Sequence, residues 1–480
     1  MEISKKIFEE KPRNLWNYVD DEKYQLYAIS SIDSTTEDER IVYIEDLEKR
    51  KEVYGICGEC NEPGTGWKWC QPCNAKRFKD NFKNWASGNK NIDEFIQQSQ
   101  LNAVHYYKCL EWIPFENFKD VTYITKGGYG KIYSAKWPEG DILYWNIENQ
   151  NWYRSSHKQV ALKSLDNSSD ISSEFLNEIK SHLQIHLLDV IQCYGITQDP
   201  DTKNYIMVLD YCKNGNLRNY LNISEDYMDY RSKIKQLFEI ARGLLDIHNA
   251  GKVHKDFHSG NILFLDQYSY ISDLGMCQPA NNEVKEGIYG VLPYMAPEVL
   301  RGHQYTKASD IYSFGIIMNE FITEVTPYND IPHDHVLAVK ICKGYRPKIS
   351  QDIPKLLADL IMKCWNAKAE NRPITKELYQ ILKKWYNEKK DISSKIYSQI
   401  KECDKMSRKK FKNRSSDNES KNSQTHPQAI YTSRLLNFKN LPEPENSSDF
   451  SSFYSDTIQS ALANPNLNEI DQNIENDINK

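Results

Sequence analysis

Residues Val253–Leu263 read VHKDFHSGNIL, and ten positions past the end of this stretch stands Asp273-Leu274-Gly275. Together they place three oxygen-bearing side chains, Asp256, Asn261 and Asp273, at spacings suited to phosphoryl transfer. One carboxylate can orient a hydroxyl and accept its proton; the Asn and the second Asp can hold magnesium on the phosphates of ATP. Either fragment alone is a weak signal. Their order, with GVLPYMAPE over Gly290–Glu298 close behind, makes the combination specific.

Upstream, TYITKGGYGKIYSAKW (Thr122–Trp137) reads as two strands around a glycine-rich turn. Such a turn lets backbone amides approach phosphate without Cβ obstruction, although by itself it is equally a bare hairpin. Lys163 closes a β-branched, apolar strand, QVALKSL, 33 residues beyond Gly130. Glu178 lies on a helical stretch, SSEFLNEIKSH, with Glu174 as its rival one turn earlier.

In this order the motifs resemble the protein kinase signature, over residues 115–386. The His258-Ser259-Gly260 step is similar to that of the tyrosine-kinase-like group. The resemblance implies an α+β bilobal fold with a β-rich N-lobe and a helical C-lobe, and an ATP- and Mg2+-dependent phosphotransferase. It makes Asp256 the catalytic base and Asn261 and Asp273 the magnesium ligands. Lys163 becomes the lysine on the α and β phosphates, held there by Glu178. Thr125, Gly127, Gly128, Gly130 and Ile132 would cover the phosphates, with Thr125 standing where a first glycine is usual. Ala161, Leu209, Asp210, Cys212 and Leu263 would line the adenine slot, the hinge contacts coming from backbone around Asp210 and Cys212. Glu298 and Arg372 would brace the large lobe as an ion pair, and Asp310 would steady the catalytic loop.

Several positions depart from the pattern. Leu274 replaces the usual Phe and fills similar space. Lys255 replaces an Arg and loses the planar fork that grips a phosphorylated residue. Asp273–Glu298 contains no Ser or Thr, its hydroxyl acceptors being Tyr289 and Tyr294. These two features together predict activity that does not need Ser/Thr phosphorylation of this loop. His258 stands where Ser/Thr kinases carry Lys, and Val291 where they carry Thr. Protein Ser/Thr hydroxyls are the expected acceptors, with tyrosine or dual specificity as the alternative. The long Lys136–Lys158 insert, bearing Trp137, Tyr144, Trp145, Trp152 and Tyr153, reads as a strand–turn–strand whose aromatics pack on the small lobe.

Cys57, Cys60, Cys70 and Cys73 form C-x2-C-x9-C-x2-C, a spacing that closes a tetrahedral shell around structural Zn2+. A loop this short cannot build its own core, so the metal would supply its folding energy. From Asn74 to about Leu101, apolar residues mark one or two amphipathic helices broken at Ser87-Gly88. The zinc-module-plus-kinase arrangement resembles a lineage-expanded fungal kinase family.

The 480-residue chain then divides into a polar helical leader (1–55), the four-cysteine zinc knot with its helices (56–110), the kinase domain (111–388) and a tail (389–480). The tail lacks sustained periodicity and is expected to be disordered, with serines such as Ser415, Ser416 and Ser447 exposed. A net charge of −6 gives no electrostatic ground for a nucleic-acid or membrane partner. No stretch reaches the ~20 apolar residues of a membrane span, and eleven cysteines, an odd count, look reduced. A cytoplasmic protein, with nuclear access open and oligomeric state undefined, is the expectation. Two readings of other classes stand beside it: a catalytically silent pseudokinase scaffold acting through its zinc module, and nucleic-acid binding by the basic, aromatic NAKRFKDNFKNW.

Overall fold

The computed structural model describes residues 13–21, 23–29, 38–127, 130–165, 173–185, 188–223, 227–279, 288–416 and 425–446. At the N-terminus, β1 (Leu15–Trp16) pairs antiparallel with β2 (Gly55–Ile56), and α1 (Leu47–Tyr54) leads directly into β2. The Asp46 side chain caps α1 by accepting the Lys49 N–H at 3.0 Å. Gly55, at φ +82°, is obligatory, because a Cβ there would lie 2.0 Å from the Leu15 carbonyl oxygen. The buried Arg50 guanidinium donates to the carbonyls of Ile44 (2.7 Å), Pro63 (2.7 Å) and Gly64 (3.0 Å). The leader expected over 1–55 is therefore no separate unit in its described part. Backbone pairing and one arginine fuse it to the cysteine segment, around a core of Val19, Ala28, Val42, Val53 and Tyr54.

Two helices follow, α2 (Gln71–Asn81) and α3 (Lys90–Asn102), with Gly88 at φ +84° in the break between them. The Asn89 side chain caps α3 through the Asn91 N–H at 2.9 Å.

The small lobe is a six-stranded sheet. In chain order its strands are β3 (Glu111–Trp112), β4 (Lys119–Gly127), β5 (Gly130–Trp137), β8 (Lys158–Leu165), β9 (Cys193–Gln198) and β10 (Tyr205–Asp210). Their spatial order is β3-β9-β10-β8-β5-β4, antiparallel except for the parallel β3–β9 pair. Between β5 and β8 the insert folds as the hairpin β6 (Asp141–Asn146) and β7 (Asn151–Ser155). Its aromatics do not all go where the sequence predicted. Trp137 is buried in the small lobe beside Phe118 and Tyr194. Trp152, however, stacks on Phe78 and Trp69 of the N-terminal module, at centroid distances of 4.8 and 5.8 Å. Trp145 lies under the Arg77 guanidinium at 4.4 Å. The flat apolar faces that the hairpin could not bury against its own lobe are covered by the cysteine module instead.

Helix α4 (Ser173–Ile185) packs across this sheet. The large lobe comprises α5 (Leu217–Ile223), α6 (Tyr230–Asn249), β11 (Lys252–Val253), β12 (Ile262–Leu265), β13 (Tyr268–Ile271), β14 (Gln278–Pro279), β15 (Ile288–Gly290), α7 (Pro297–Leu300), α8 (Lys307–Thr323), α9 (His335–Cys342), α10 (Lys355–Cys364) and α11 (Thr375–Glu388). Helices α6 and α8 are buried along nearly their whole length and form the centre of its core. The N-terminal module reaches this lobe as well. Arg40 pairs with Asp38 at 2.8 Å and with Asp246 of α6 at 2.9 Å, all three at most about a tenth exposed.

The tail departs most from expectation. Helix α12 (Lys395–Ser416) packs Ile396, Ile400 and Cys403 into the large-lobe core, a spacing of four and three residues that forms one narrow apolar stripe. Residues 425–446 run back over the lobe and contribute β16 (Arg434–Leu436), antiparallel to β15. Ser447 lies outside the described residues. No helix among the described residues is long and apolar enough to cross a membrane.

Candidate active site

The register of the central sheet sets Lys163 of β8 opposite Met207 of β10 on one side and Ile132 of β5 on the other. Its ammonium donates to Glu178 Oε1 at 2.6 Å and to Asp273 Oδ1 at 3.0 Å. Burial works against the charged ammonium, yet Asp273 and Glu178 overcome it and raise Lys163 above the ordinary lysine value. Burial likewise opposes an ionised Asp273, but Lys163 holds this carboxyl below its usual range. For Glu178 burial prevails and lifts it. Glu178, one of the two candidate glutamates, is in contact with Lys163; the Glu174 side chain lies outside what the structure describes.

Glu178 is aimed by the way α4 is buried. Phe175 and Ile179 are fully buried against Ile92 and Ile96 of α3, so the N-terminal module backs this helix. Lys108 of the module also donates to the Leu183 carbonyl near the end of α4. One turn beyond Glu178, His182 donates its Nδ1–H to the Ile191 carbonyl at 2.9 Å, while its Nε2 is buried with no partner among the described residues. Burial depresses His182 from 6.5 to about 4. The unfolded chain binds a proton below 6.5 and the folded chain only below about 4. Stability present above pH 6.5 is therefore lost as pH falls between those values, about 3 kcal/mol in all. Thermal melts at pH 7 and pH 5 are expected to differ by less in His182→Gln than in wild type. Equal pH dependence in the two proteins would count against this.

Below the cleft, Asp310 of α8 accepts the backbone N–H of His254 at 2.8 Å and of Lys255 at 3.1 Å, fixing the loop that carries Asp256. Lys255 adopts φ +70°, a turn held by those two bonds. A hydrogen-bonded chain then joins the two carboxylate positions. Asn261 Nδ2 donates to the Asp256 carbonyl at 2.9 Å, and the Asn261 carbonyl accepts from the Ser272 N–H at 2.9 Å, one residue before Asp273. With Nδ2 donating in this way, the Asn261 amide oxygen is the atom that could take a cation. Arg372 grips Glu298 through both nitrogens, at 2.7 and 2.8 Å, as the sequence anticipated.

Asp256 Oδ2 accepts a hydrogen bond from Ser433 Oγ at 2.5 Å and lies 3.6 Å from His258 Nε2. Because His258 Nδ1 accepts the Gly260 N–H at 3.0 Å, the ring proton sits on Nε2, which faces Asp256 and Ser433. Burial opposes the ionised form of Asp256, but His258 and Ser433 outweigh it and lower this carboxyl. Ser433 escaped the sequence reading altogether. It is one serine in a polar tail, and nothing local distinguishes it. A buried network under this loop was also missed: Tyr294 donates to Glu320 at 2.7 Å, Ser259 to Glu320 at 3.1 Å, and Arg218 to Ser259 at 3.2 Å. Nothing local to Arg218, in the first turn of α5, hints that it reaches Glu320 of α8 at 3.9 Å.

The remaining nucleotide candidates lie on the small-lobe sheet and at its connection to the large lobe. Gly127 and Gly130 face each other across the β4–β5 turn, with Thr125 opposite Ile132; Gly128 lies outside the described residues. Ala161 is opposite Leu209 in the sheet, and Asp210 ends β10. Cys212 is buried at the connection to the large lobe, where Asn216 bridges to Leu263.

A second centre lies in the N-terminal module. The sulfurs of Cys57, Cys60, Cys70 and Cys73 all fall within 4.8 Å of one another, with Cys57–Cys73 at 3.9 Å and Cys60–Cys70 at 3.5 Å. A tetrahedron with Zn–S bonds of ~2.3 Å has edges of ~3.8 Å, so the spacing of the four cysteines is compatible with zinc.

A glycine-turn sheet over a helical lobe, with a lysine–glutamate–aspartate cluster facing a loop aspartate, defines the protein kinase class. The family model for protein tyrosine and serine/threonine kinases matches residues 118–382, more than half of the chain, and the protein belongs to that family. It is 27% identical over 48% of its length to a serine/threonine/tyrosine-protein kinase of Arabidopsis thaliana, covering 62% of that protein. It is 27% identical over 54% of its length to an RGS domain-containing serine/threonine-protein kinase of Dictyostelium discoideum, covering 22% of it. A tyrosine-protein kinase of Girardia tigrina is 26% identical over 54% of the chain and is covered to 51%. The chain thus spans less than two thirds of the length of these relatives.

Proposed function

We propose that this chain transfers the γ-phosphate of ATP to serine and threonine hydroxyls of proteins. The observation that carries the reading is the contact of Lys163 with both Glu178 and Asp273, the latter joined through Ser272 and Asn261 to the loop on which Asp256 meets a serine hydroxyl. In this reading Lys163 grips the α and β phosphates, oriented by Glu178. Asp256 orients the acceptor hydroxyl and takes its proton, and His258 Nε2–H faces the same place, where a transferring phosphoryl group needs positive polarity. Asn261 and Asp273 would hold magnesium, which supplies charge neutralisation at the phosphate oxygens. Thr125, Gly127, Gly128, Gly130 and Ile132 close over the phosphates, and the hinge backbone at Asp210 and Cys212 takes the adenine, between Ala161 and Leu263 and beside Leu209. The four cysteines hold structural zinc.

Preference for Ser/Thr over Tyr is supported by depth. A serine Oγ reaches Asp256 while the following residues pair in register with β15. A tyrosine hydroxyl stands several ångströms further from its backbone, so the same pairing would drive it past the carboxylate. With purified full-length protein, Mg-ATP and peptide libraries bearing Ser, Thr or Tyr, phosphate should enter Ser and Thr peptides at least about tenfold faster than Tyr peptides, as expected when one pocket depth discriminates. Preferential labelling of tyrosine would overturn the specificity, and no labelling of any peptide or of the chain itself would favour the scaffold reading.

A further inference from the structure

We infer that residues 425–446 are a tethered substrate of the same chain: they fill the groove meant for protein substrates, and Ser433 is phosphorylated in cis. The inference rests on the kinase reading above and adds the identity of its first acceptor. Four observations carry it.

Backbone pairing comes first. Strand β16 runs antiparallel to β15, with Leu436 opposite Ile288 and Arg434 opposite Gly290, directly beside the catalytic loop. Peptide recognition by strand addition works in this way, with main-chain hydrogen bonds giving affinity and alternate side chains giving register. Second, that register delivers the one chemically relevant atom. Ser433 Oγ donates to Asp256 Oδ2 at 2.5 Å and lies 3.4 Å from His258 Nε2, while the Ser433 carbonyl accepts from the Tyr289 hydroxyl at 3.0 Å. A segment that only obstructed the groove would have no need of a hydroxyl at this position.

Third, both flanks are specifically seated. On the N-terminal side the Arg218 guanidinium covers the Tyr431 ring at 4.3 Å, and Tyr431 donates to the Pro327 carbonyl at 2.8 Å. On the C-terminal side Arg434 donates to the His333 carbonyl at 2.5 Å, and Leu436, 5% exposed, joins the large-lobe core. Fourth, the strap is anchored again far from the reacting atoms, where Glu443 forms an ion pair with Arg301. A tether of this kind gives the segment an effective concentration in the millimolar range, so it outcompetes peptides of ordinary affinity.

In the reaction, a lone pair of Ser433 Oγ forms a bond to the γ-phosphorus of ATP. The bond from that phosphorus to the β–γ bridging oxygen breaks, and its electron pair leaves with ADP. The hydroxyl proton passes to Asp256 and from there to solvent, which restores the carboxylate. The product is phosphoserine at 433, carrying about −1.5 to −2 charges, placed against the Asp256 carboxylate. Like-charge repulsion at this spacing drives the strap out, and the groove opens to other proteins.

The test uses full-length protein treated with phosphatase, then Mg-ATP, with sites mapped by mass spectrometry and a generic Ser peptide followed in parallel. Expected are one phosphate at Ser433, formed at a rate per enzyme independent of enzyme concentration, and a lag in peptide phosphorylation that prior incubation with ATP removes. The peptide KM should fall at least about tenfold across that lag, in line with release of a millimolar tether. Ser433→Ala should keep the high KM permanently, while Arg434→Glu with Leu436→Glu should abolish both the lag and the Ser433 phosphate. Peptide phosphorylation without phosphate at Ser433, or a per-enzyme rate that rises with enzyme concentration, overturns the inference and leaves the kinase reading intact. Absence of phosphate from both peptide and chain overturns the kinase reading itself.

Discussion

Asp273→Asn is expected to lower phosphate transfer about 10³-fold or more while leaving the protein folded. The reaction asks little covalent chemistry of the protein, so charge placement is where most of the barrier lowering lies, and one well-placed group is worth about 10²–10³-fold. In the proposed reading Asp273 has two such duties at once: it pairs with Lys163 at 3.0 Å, and it would offer its carboxylate to magnesium beside Asn261. The asparagine amide keeps the shape but cannot balance the ammonium or bind the cation with charge. Asp256→Asn removes the proton acceptor and should cost about 10²–10⁴-fold, with less effect on nucleotide affinity than Asp273→Asn. Single-turnover transfer, nucleotide binding and thermal melts on both variants separate these effects. Retention of a tenth of wild-type transfer by Asp273→Asn would sink the proposed role.

Removing the proposed zinc is expected to inactivate the kinase from a distance. Cys60→Ser or a strong chelator should release one zinc per chain and unfold the module, since metal binding to such a knot contributes on the order of 10 kcal/mol to its folding. The consequence for catalysis runs through α3. Ile92 and Ile96 share one buried core with Phe175 and Ile179 of α4, and Lys108 holds the Leu183 carbonyl. Without that backing, Glu178 is no longer kept at 2.6 Å from Lys163. A drop in kcat of at least about tenfold should follow, the size of one lost orienting contact of about 1.4 kcal/mol in the transition state. New protease cleavage between residues 56 and 110 should accompany it. Metal-free protein that keeps both its protease resistance and its kcat would show that the knot is not coupled to the active site.

The candidate active-site residues could be nominated from the chain because the chemistry proposed for them needs particular residue types at near-constant spacing. Asp256, Asn261 and Asp273 sit on a short loop–hairpin unit, and β12–β13 sets their separation locally. Lys163 could be found despite the long insert because it ends an apolar strand. The cysteine shell was legible for the same reason, four ligands lying within 17 residues. Other features rest on partners remote in sequence. Ser433 is 177 residues from Asp256, and Arg40 is 206 residues from Asp246. The aromatic insert showed its surplus apolar surface, but not the module that covers it. The stripe of Ile396, Ile400 and Cys403 was too thin, amid lysines, to announce α12.

Sequence alone determined the bilobal kinase fold and the grouping of four cysteines, and it nominated the candidate reacting groups, since local spacing and residue chemistry carry all three. Tertiary structure alone decided that the N-terminal module props the glutamate helix, that His258 turns its Nε2 toward Asp256, and that a tail serine lies on that carboxylate. These are contacts between segments separated by tens to hundreds of residues. Each is selected by shape and by the burial of apolar surface, and such selection leaves no pattern in either segment taken singly.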